Sequence, residues 1–489
     1  MNEKPQTIRL FVFKILHYKQ HSCRIKCSMD GFSSFFAILM LCAGLFLSVR
    51  INFFQFTHLG CAIKTALGLG QRRAAENVRR KQKSDASGVT LFQALSSALG
   101  GSIGTANIAG VASAIAIGGA GAVFYMWLAA LVGMGVKFCE IVLALRYREK
   151  RGGQWCGGAM LYIEKGFRKS NTGSRFLQSV SKPLAAGFAL FGLLASSVGT
   201  PLVQSNTIAM SVNDAVLLFL PKAEQKTVCI IAGAATAALV GIVILGGIQR
   251  IGKASEIIVP FMAIGYIAIC IIVLSRFGGR ILPAFCDIFS SALGIKQAVG
   301  GAAGFGAARA RIGMARGVYS NEAGVGSAPM AHACANTNDP VKQGMYGIFE
   351  VFADTIVMCT MTALVVLASG IPLQAGGEIS GTSIALRAFS TVLPERTTGI
   401  FLAVSMLLFA YTSLLGWAVY GMQCAKYLFG RRAQLPFCIL YTVLTFAGAL
   451  MKVDFVWTAG ETLNYLMAAP NMLALLVLNR EVRRETAFA

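Results

Sequence analysis

The sequence predicts an all-α polytopic membrane protein, and three observations carry that prediction. Of its 489 residues, 55% are hydrophobic and only 13% are charged, about half the charged share of an average soluble domain. Apolar runs recur along the chain, each near the ~20 residues that a helix needs to cross a bilayer. Lysine and arginine collect in the short segments between those runs, as they do in the cytoplasmic loops of spanning proteins. The formal charge of +23 therefore does not point to nucleic acid. The cations have no aromatic interleaving, and lipid is the expected surrounding.

Read in order, the runs place eleven transmembrane helices, at about 33–49, 90–116, 120–145, 184–212, 228–246, 255–275, 283–312, 344–369, 396–427, 434–451 and 455–478. Basic loops follow the first span (Arg72 to Lys83), the third (Arg146 to Lys182), the fifth (Arg250, Lys253), the seventh (Arg316, Lys342), the ninth (Lys426, Arg431, Arg432) and the eleventh (Arg480, Arg483, Arg484). With eleven spans all six lie on one side, so the C-terminus is expected in the cytoplasm and the N-terminus outside. Residues 1–28 disagree, because Lys4, Arg9, Lys14, Lys19, Arg24 and Lys26 resist export. Translation from Met29 would remove the conflict, and N-terminal sequencing of native protein tests this. The expected location is the plasma membrane, the inner membrane if the source is bacterial, and the expected state is a monomer.

The second span carries the strongest local signal. Ala94 to Ala116 is apolar, yet its middle holds Gly100, Gly101, Ser102, Gly104, Thr105 and Asn107. Glycine costs about 1 kcal/mol against alanine inside a helix, so the helix is expected to break at mid-bilayer. Unwound backbone survives there only when buried in protein or lining a cavity, and in transporters such breaks hold substrate and coupling ion. A second break is expected in the seventh span, at GGAAGFGAARARIG (Gly300 to Gly313). Two breaks separated by four spans suggest an inverted repeat of five plus five helices behind one peripheral helix. The divisions are 1–28 (basic extension), 29–83 (peripheral helix and loop), 84–280 (first repeat), 281–479 (second repeat) and 480–489 (cytoplasmic tail).

Half-helix N-termini suit a carboxylate, and unwound carbonyls suit a bare Na⁺. Glycine and alanine from Gly100 to Ala112 leave room for a small substrate only. An enzyme would need a convergent nucleophile, carboxylate or metal cluster. The histidines (His17, His21, His58, His332) are scattered, and the thirteen cysteines show no zinc spacing. A channel would need a repeated filter or a continuous polar pore.

The blocks GTANIAGVASAI (104–115), AVFYMWLAALVGMGVKFCE (122–140), GGAMLYIEKG (157–166), GGIQRIGKASEIIVPFMA (246–263), RGVYSNEAGVGSAPMAHA (316–333), ADTIVMCT (353–360), FAYTSLLGW (409–417) and LNYLMAAPN (463–471) resemble the alanine or glycine:cation symporters. The resemblance runs from about residue 33 almost to the end. It implies sodium-coupled uptake of alanine, glycine, D-alanine or a similarly small neutral amino acid, with Na⁺ as coupling ion and no organic cofactor. The alternatives are a proton-coupled symporter and a non-transporting sensor on the same fold. By position, Gly101, Ser102, Thr105, Asn107, Gln204, Asn206 and Trp417 are implied in substrate binding. Gly100, Ile103, Thr412 and Ser413 are implied in the sodium site. Gln93 is expected to pack near the break. The chain departs from the family at Ala106, Pro201 and Met422, and Ala106 is expected to narrow the site.

Ionisable residues within spans are functional candidates. Lys137 and Glu140, three apart, are expected to neutralise each other. Asp354 belongs to the family's block, and Glu350 four residues before it does not. Arg309 and Arg311 are expected near the cytoplasmic mouth, bound to carbonyls or gating against Glu322. Asn321 to Gly324 is expected to cap a re-entrant helix rather than touch substrate.

Overall fold

The computed structural model describes residues 38–69, 88–169, 175–293, 302–372, 381–451 and 453–487. The basic extension, the whole of the first basic loop and the glycines at 300 and 301 lie outside them. Among the described residues seven helices are long and apolar enough to cross a membrane, so the chain is an all-α polytopic membrane protein.

Helix α1 (Ile38–Arg50) leans on the outside of the bundle. Its buried Leu47 faces inward, while Ile38, Leu45 and Val49 are more than half exposed. The second span is two half-helices, α2 (Leu91–Ser102) and α3 (Ala109–Gly118), and Gly119 at φ 72° ends it. Helix α4 (Gly121–Tyr147) is the most enclosed, with 83% of its apolar window buried. A hairpin follows, β1 (Glu149–Arg151) paired antiparallel to β2 (Gln154–Cys156). Its turn is Gly152-Gly153, at φ 59° and 79°, which only glycine adopts cheaply. Next come α5 (Ala159–Lys169), α6 (Arg175–Leu217), α7 (Gln225–Ile244) and α8 (Gly247–Ser275). Helix α8 is peripheral, with 33% of its window buried, and Ile257 and Phe261 project outward from it at 70% exposure.

The predicted seventh span needs correction. Residues 283–312 straddle two elements, α9 (Gly278–Ala292) and α10 (Ala302–Asn321). Helix α10 runs unbroken through Gly304, Gly306 and Gly313. The interruption comes after it, at residues 322–328, before a single turn, α11 (Pro329–His332). Glu322, Gly324 and Gly326 all have positive φ there, and Pro329, which lacks an N–H to lose, opens α11. The chain continues through α12 (Pro340–Ser369), α13 (Gly381–Ser390), α14 (Glu395–Phe429), α15 (Gln434–Gly448) and α16 (Val453–Ala487).

Helix α4 packs on α10 and α12, while α14 packs on α2, α6 and α8. Glycines set two of these approaches. A methyl on Gly344 would lie 2.7 Å from Phe138, and one on Gly347 would lie 3.0 Å from Cγ of Lys137. One on Gly416 would lie 2.6 Å from the backbone of Gly101. The first interrupted helix is thereby held against α14, and α12 against α4.

Candidate functional site

Helix α2 starts on a capping box. Thr90 Oγ1 accepts from the Gln93 N–H and Gln93 Oε1 accepts from the Thr90 N–H, both at 3.1 Å. Gln93 therefore has a local partner at the start of α2, ten residues before the break at Ile103.

The helix stops where Ile103 (ψ 100°) and Gly104 (φ −136°, ψ −164°) become extended. In a continuing helix the Gly104 N–H would donate to the Gly100 carbonyl. It donates instead to Asn107 Oδ1 at 2.8 Å. The last carbonyls of α2 are thus released from the helical ladder. A 3₁₀ turn over Thr105–Asn107 then leads into α3. The Asn107 amide also donates to Asp354 Oδ1 at 2.7 Å and to Ser320 Oγ at 3.2 Å. Asp354 Oδ2 accepts from Ser320 and Thr355, both at 2.8 Å. Asn107 and Asp354 therefore pin the first interruption to α10 and α12.

A cavity of about 40 Å³ lies where the two interruptions meet α6, α14 and α16. The first interruption contributes Gly101, Ser102, Gly104, Thr105 and Ala106; α6 contributes Thr200 and Gln204; α14 contributes Ser413 and Trp417. Five of the residues predicted for substrate (Gly101, Ser102, Thr105, Gln204, Trp417) line it, together with Ser413 from the predicted sodium set. Thr105 Oγ1 donates to Gln204 Oε1 at 3.4 Å.

Two predicted substrate residues lie elsewhere. Asn107 is occupied as described. Asn206 faces α15 and donates to the carbonyls of Gly448 at 3.3 Å and Met451 at 2.6 Å, capping that helix's C-terminal end. In the predicted sodium set, Thr412 packs on Gly100, where an added methyl would lie 3.2 Å from Thr412 Cβ. Its hydroxyl donates within its own helix, to the carbonyls of Leu408 and Phe409 at 3.0 Å. Ser413 Oγ donates to the Gly101 carbonyl at 3.4 Å.

Among the lining residues that sequence reasoning did not assign to the substrate are Tyr319, Glu322 and Asn464; Glu322 was expected only to cap or gate. Glu322 ends α10 in the left-handed region at φ 53°, a rare conformation for a non-glycine side chain that clusters at functional sites. Its carboxylate accepts from Trp417 Nε1 at 2.8 Å and from Ser327 Oγ at 2.6 Å. Asn464 Oδ1 is buried and has no hydrogen-bond partner among the described residues. The Gly324-Val-Gly326 run was the available signal for Glu322, since glycines at alternate positions ahead of a proline mark a turn. The π-helical turn Ala195–Gly199 also borders the cavity. It precedes Pro201, whose missing N–H breaks the regular ladder of α6.

The predicted Lys137–Glu140 pair is not formed. Lys137 Nζ lies 3.1 Å from Glu350 Oε1, with both side chains fully buried. His332 Nε2 is 3.0 Å from the other Glu350 oxygen, and Gln343 Nε2 is 2.7 Å from His332 Nδ1. Glu140 accepts instead from the Asn471 amide at 2.5 Å. The glycine face of α12 lets the lysine stem lie across it, so an inter-helix partner replaces the one three residues along. Arg309 sits beside Gly119 and α9, at the end of the bundle away from the hairpin. It donates to the Ser291 carbonyl at 3.0 Å. Asn321 Oδ1 accepts from the Ala323 N–H at 3.0 Å.

A profile described as the sodium:alanine symporter family matches residues 25–487. The sodium/alanine symporter AgcS of Methanococcus maripaludis is 38% identical over 454 residues, which cover 92% of either chain. The putative sodium/proton-dependent alanine carrier protein YrbD of Bacillus subtilis is 34% identical, over 90% of this chain and 86% of its own. The probable sodium/glutamine symporter GlnT of Bacillus subtilis is 32% identical, over 92% and 86%. The chain belongs to the sodium:alanine symporter family and is a membrane transporter for cation-coupled amino-acid symport, not an enzyme.

Proposed function

We propose that this chain uses an inward Na⁺ gradient to take up a small neutral amino acid, alanine first, with glycine and D-alanine as candidates. The observation that carries the substrate class is the cavity between the two interruptions. Its 40 Å³ corresponds to roughly three water positions. That suits a zwitterion with a hydrogen or methyl side chain better than one with a glutamine side chain. Ala106, which lines it, removes the further space that glycine would leave.

The zwitterion has two charged ends to satisfy. Backbone N–H groups of Thr105 and Ala106 suit its carboxylate, the Gly104 N–H being taken by Asn107 Oδ1. Glu322 and the unpartnered Asn464 Oδ1 suit its ammonium, and Trp417 holds the Glu322 carboxylate in place. Glu322→Gln is expected to raise the alanine KM by roughly 30-fold or more, since losing one partner of a buried charged contact costs about 2–5 kcal/mol. An alanine KM within threefold of the parent would remove Glu322 from the site.

Na⁺ fits between α2 and α14. The Gly100 and Ile103 carbonyls are at the released end of α2. The hydroxyls of Thr412 and Ser413 spend their protons on backbone carbonyls, which leaves oxygen lone pairs for a hard cation. Ion and substrate then share the Gly100–Ala106 segment, so each favours the conformation that the other needs. Thr412→Ala with Ser413→Ala is expected to raise the Na⁺ concentration for half-maximal uptake on the order of tenfold, about 1.4 kcal/mol. An unchanged Na⁺ dependence would place the ion elsewhere.

Two repeats, 84–280 and 281–479, each containing one interrupted helix, would supply the rocking halves, with the C-terminus in the cytoplasm. Uptake of labelled alanine into proteoliposomes, under a Na⁺ gradient against equal K⁺, tests the whole reading. Accumulation only with Na⁺ supports it. Accumulation driven by a proton gradient without Na⁺, or a preference for glutamine, would replace it.

A further inference from the structure

We propose that the groove between the C-terminal end of α7 and the N-terminal end of α15 binds the headgroup of an anionic phospholipid. A cavity of about 470 Å³ opens there, lined by Leu245, Arg431, Arg432, Gln434, Leu435 and Cys438. It presents two guanidinium groups and no acidic side chain.

Arg431 is already oriented. Its Nη1 donates to the Gly152 carbonyl in the β1–β2 turn at 3.1 Å, and the remaining donors of its fork stay available. Arg432 is exposed beside it. The two arginines can therefore meet a phosphodiester with charge-assisted, fork-shaped hydrogen bonds. Helix α15 begins at the same place, with Ala433 as its N-cap and no side-chain bond to its first N–H groups. The Gln434 N–H is taken by the Arg431 carbonyl and Pro436 has none, so the positive charge of the groove is that of the two arginines. Arg250 does not line the groove; it donates to the Ile242 carbonyl at 2.8 Å and caps α7.

Hydrocarbon beside the charge distinguishes a lipid from a free anion. Leu245 and Leu435 are 56% and 59% exposed at the mouth of the groove. Ile242 and Ile439, 61% and 55% exposed, continue the apolar strip along α7 and α15. A phosphate alone would leave that strip bare. A phospholipid places its acyl chains on the strip and its phosphate on the arginines. The groove also lies at the end carrying the basic loops, the end expected to face the anionic cytoplasmic leaflet.

Native mass spectrometry of the full-length protein tests this. The protein is incubated with phosphatidylglycerol or phosphatidylcholine of the same chain length. At least fivefold greater retention of phosphatidylglycerol is expected, with the preference lost in Arg431→Gln/Arg432→Gln. It should survive in Lys222→Gln/Lys226→Gln, a charge-matched change elsewhere. No preference in the parent protein, or the same preference in the arginine variant, overturns the proposal. Loss of the preference in equimolar inorganic phosphate would mark a free-anion site and overturn it too. Should the arginine variant fail to fold, photoactivatable phosphatidylglycerol on the parent protein decides. Label on residues 431–439 sustains the site, and label confined to other segments rejects it.

Discussion

Lys137→Met is expected to destabilise the protein by about 3–5 kcal/mol, because removing one partner of a buried ion pair leaves the other charge uncompensated. Glu350 is fully buried, 3.1 Å from Lys137, and would keep only the His332 contact at 3.0 Å. The second variant makes the argument specific. Lys137→Met with Glu350→Leu removes both charges and is expected to recover most of the loss, since a buried pair replaced by apolar groups is often neutral. Thermal unfolding in one detergent at one pH checks both. A single variant as stable as the parent would mean that the pair contributes nothing. A double variant no better than the single would mean that the shape of Lys137, packed on Gly347, matters more than its charge. The pair joins α4 to α12, and His332 adds the short helix after the second interruption, so its loss should also loosen the wall behind Glu322.

Gly416→Ala is expected to lower Na⁺-driven uptake by roughly 100-fold, the effect of displacing a site by about 1 Å. A methyl there would lie 2.6 Å from Cα and N of Gly101 and 2.8 Å from the Ser97 carbonyl. These are backbone atoms, so no rotamer change relieves the clash and α2 must move away from α14. The Ser413–Gly101 hydrogen bond, already 3.4 Å long, would be lost. Thr412 would also separate from Gly100. The folding cost is smaller, about 1–3 kcal/mol for overpacking, so the variant should remain purifiable while transport fails. Gly265→Ala is the control, because nothing lies within 4 Å of a methyl at that position. Uptake by Gly416→Ala within threefold of the parent would show that close approach of these two helices is not required.

The two interruptions show what can be read without coordinates. The first was legible because Gly100, Gly101, Ser102, Gly104, Thr105 and Asn107 put several helix-weakening choices within about two turns of an apolar run. The second was assigned to Gly300–Gly313 by the same reasoning. Yet Gly304, Gly306 and Gly313 sit among alanines and arginines, good helix formers that keep α10 continuous. The real interruption is set by Glu322 in a left-handed conformation, which residue preference argues against and only the surrounding packing can impose. The β1–β2 hairpin had a signal in its Gly152-Gly153 turn, overlooked behind the charged run Arg148 to Arg151.

Site residues divide in the same way. Polar groups in the break and in α14 were found because a polar residue in a span needs a reason. Which of them face the cavity was not, since Asn107 and Asn206 could have met a substrate or a helix end equally well on local grounds. Lys137 was matched to Glu140 because residues three apart share a helix face, while the actual partner lies 213 residues away in sequence.

The sequence by itself determined that this is a polytopic helical membrane protein of the sodium:alanine symporter family, with a helix that must break at Gly100–Asn107. Composition, run length and local propensity act over one turn or one span and suffice for the spans and the break, while the family rests on the matching sequence blocks. Only the tertiary structure decided that Glu322 enters the cavity, that Asn107 turns to Asp354 and that Lys137 pairs with Glu350. Each of these depends on which helices glycine faces allow to meet, and a buried polar group takes the partner that packing brings within reach.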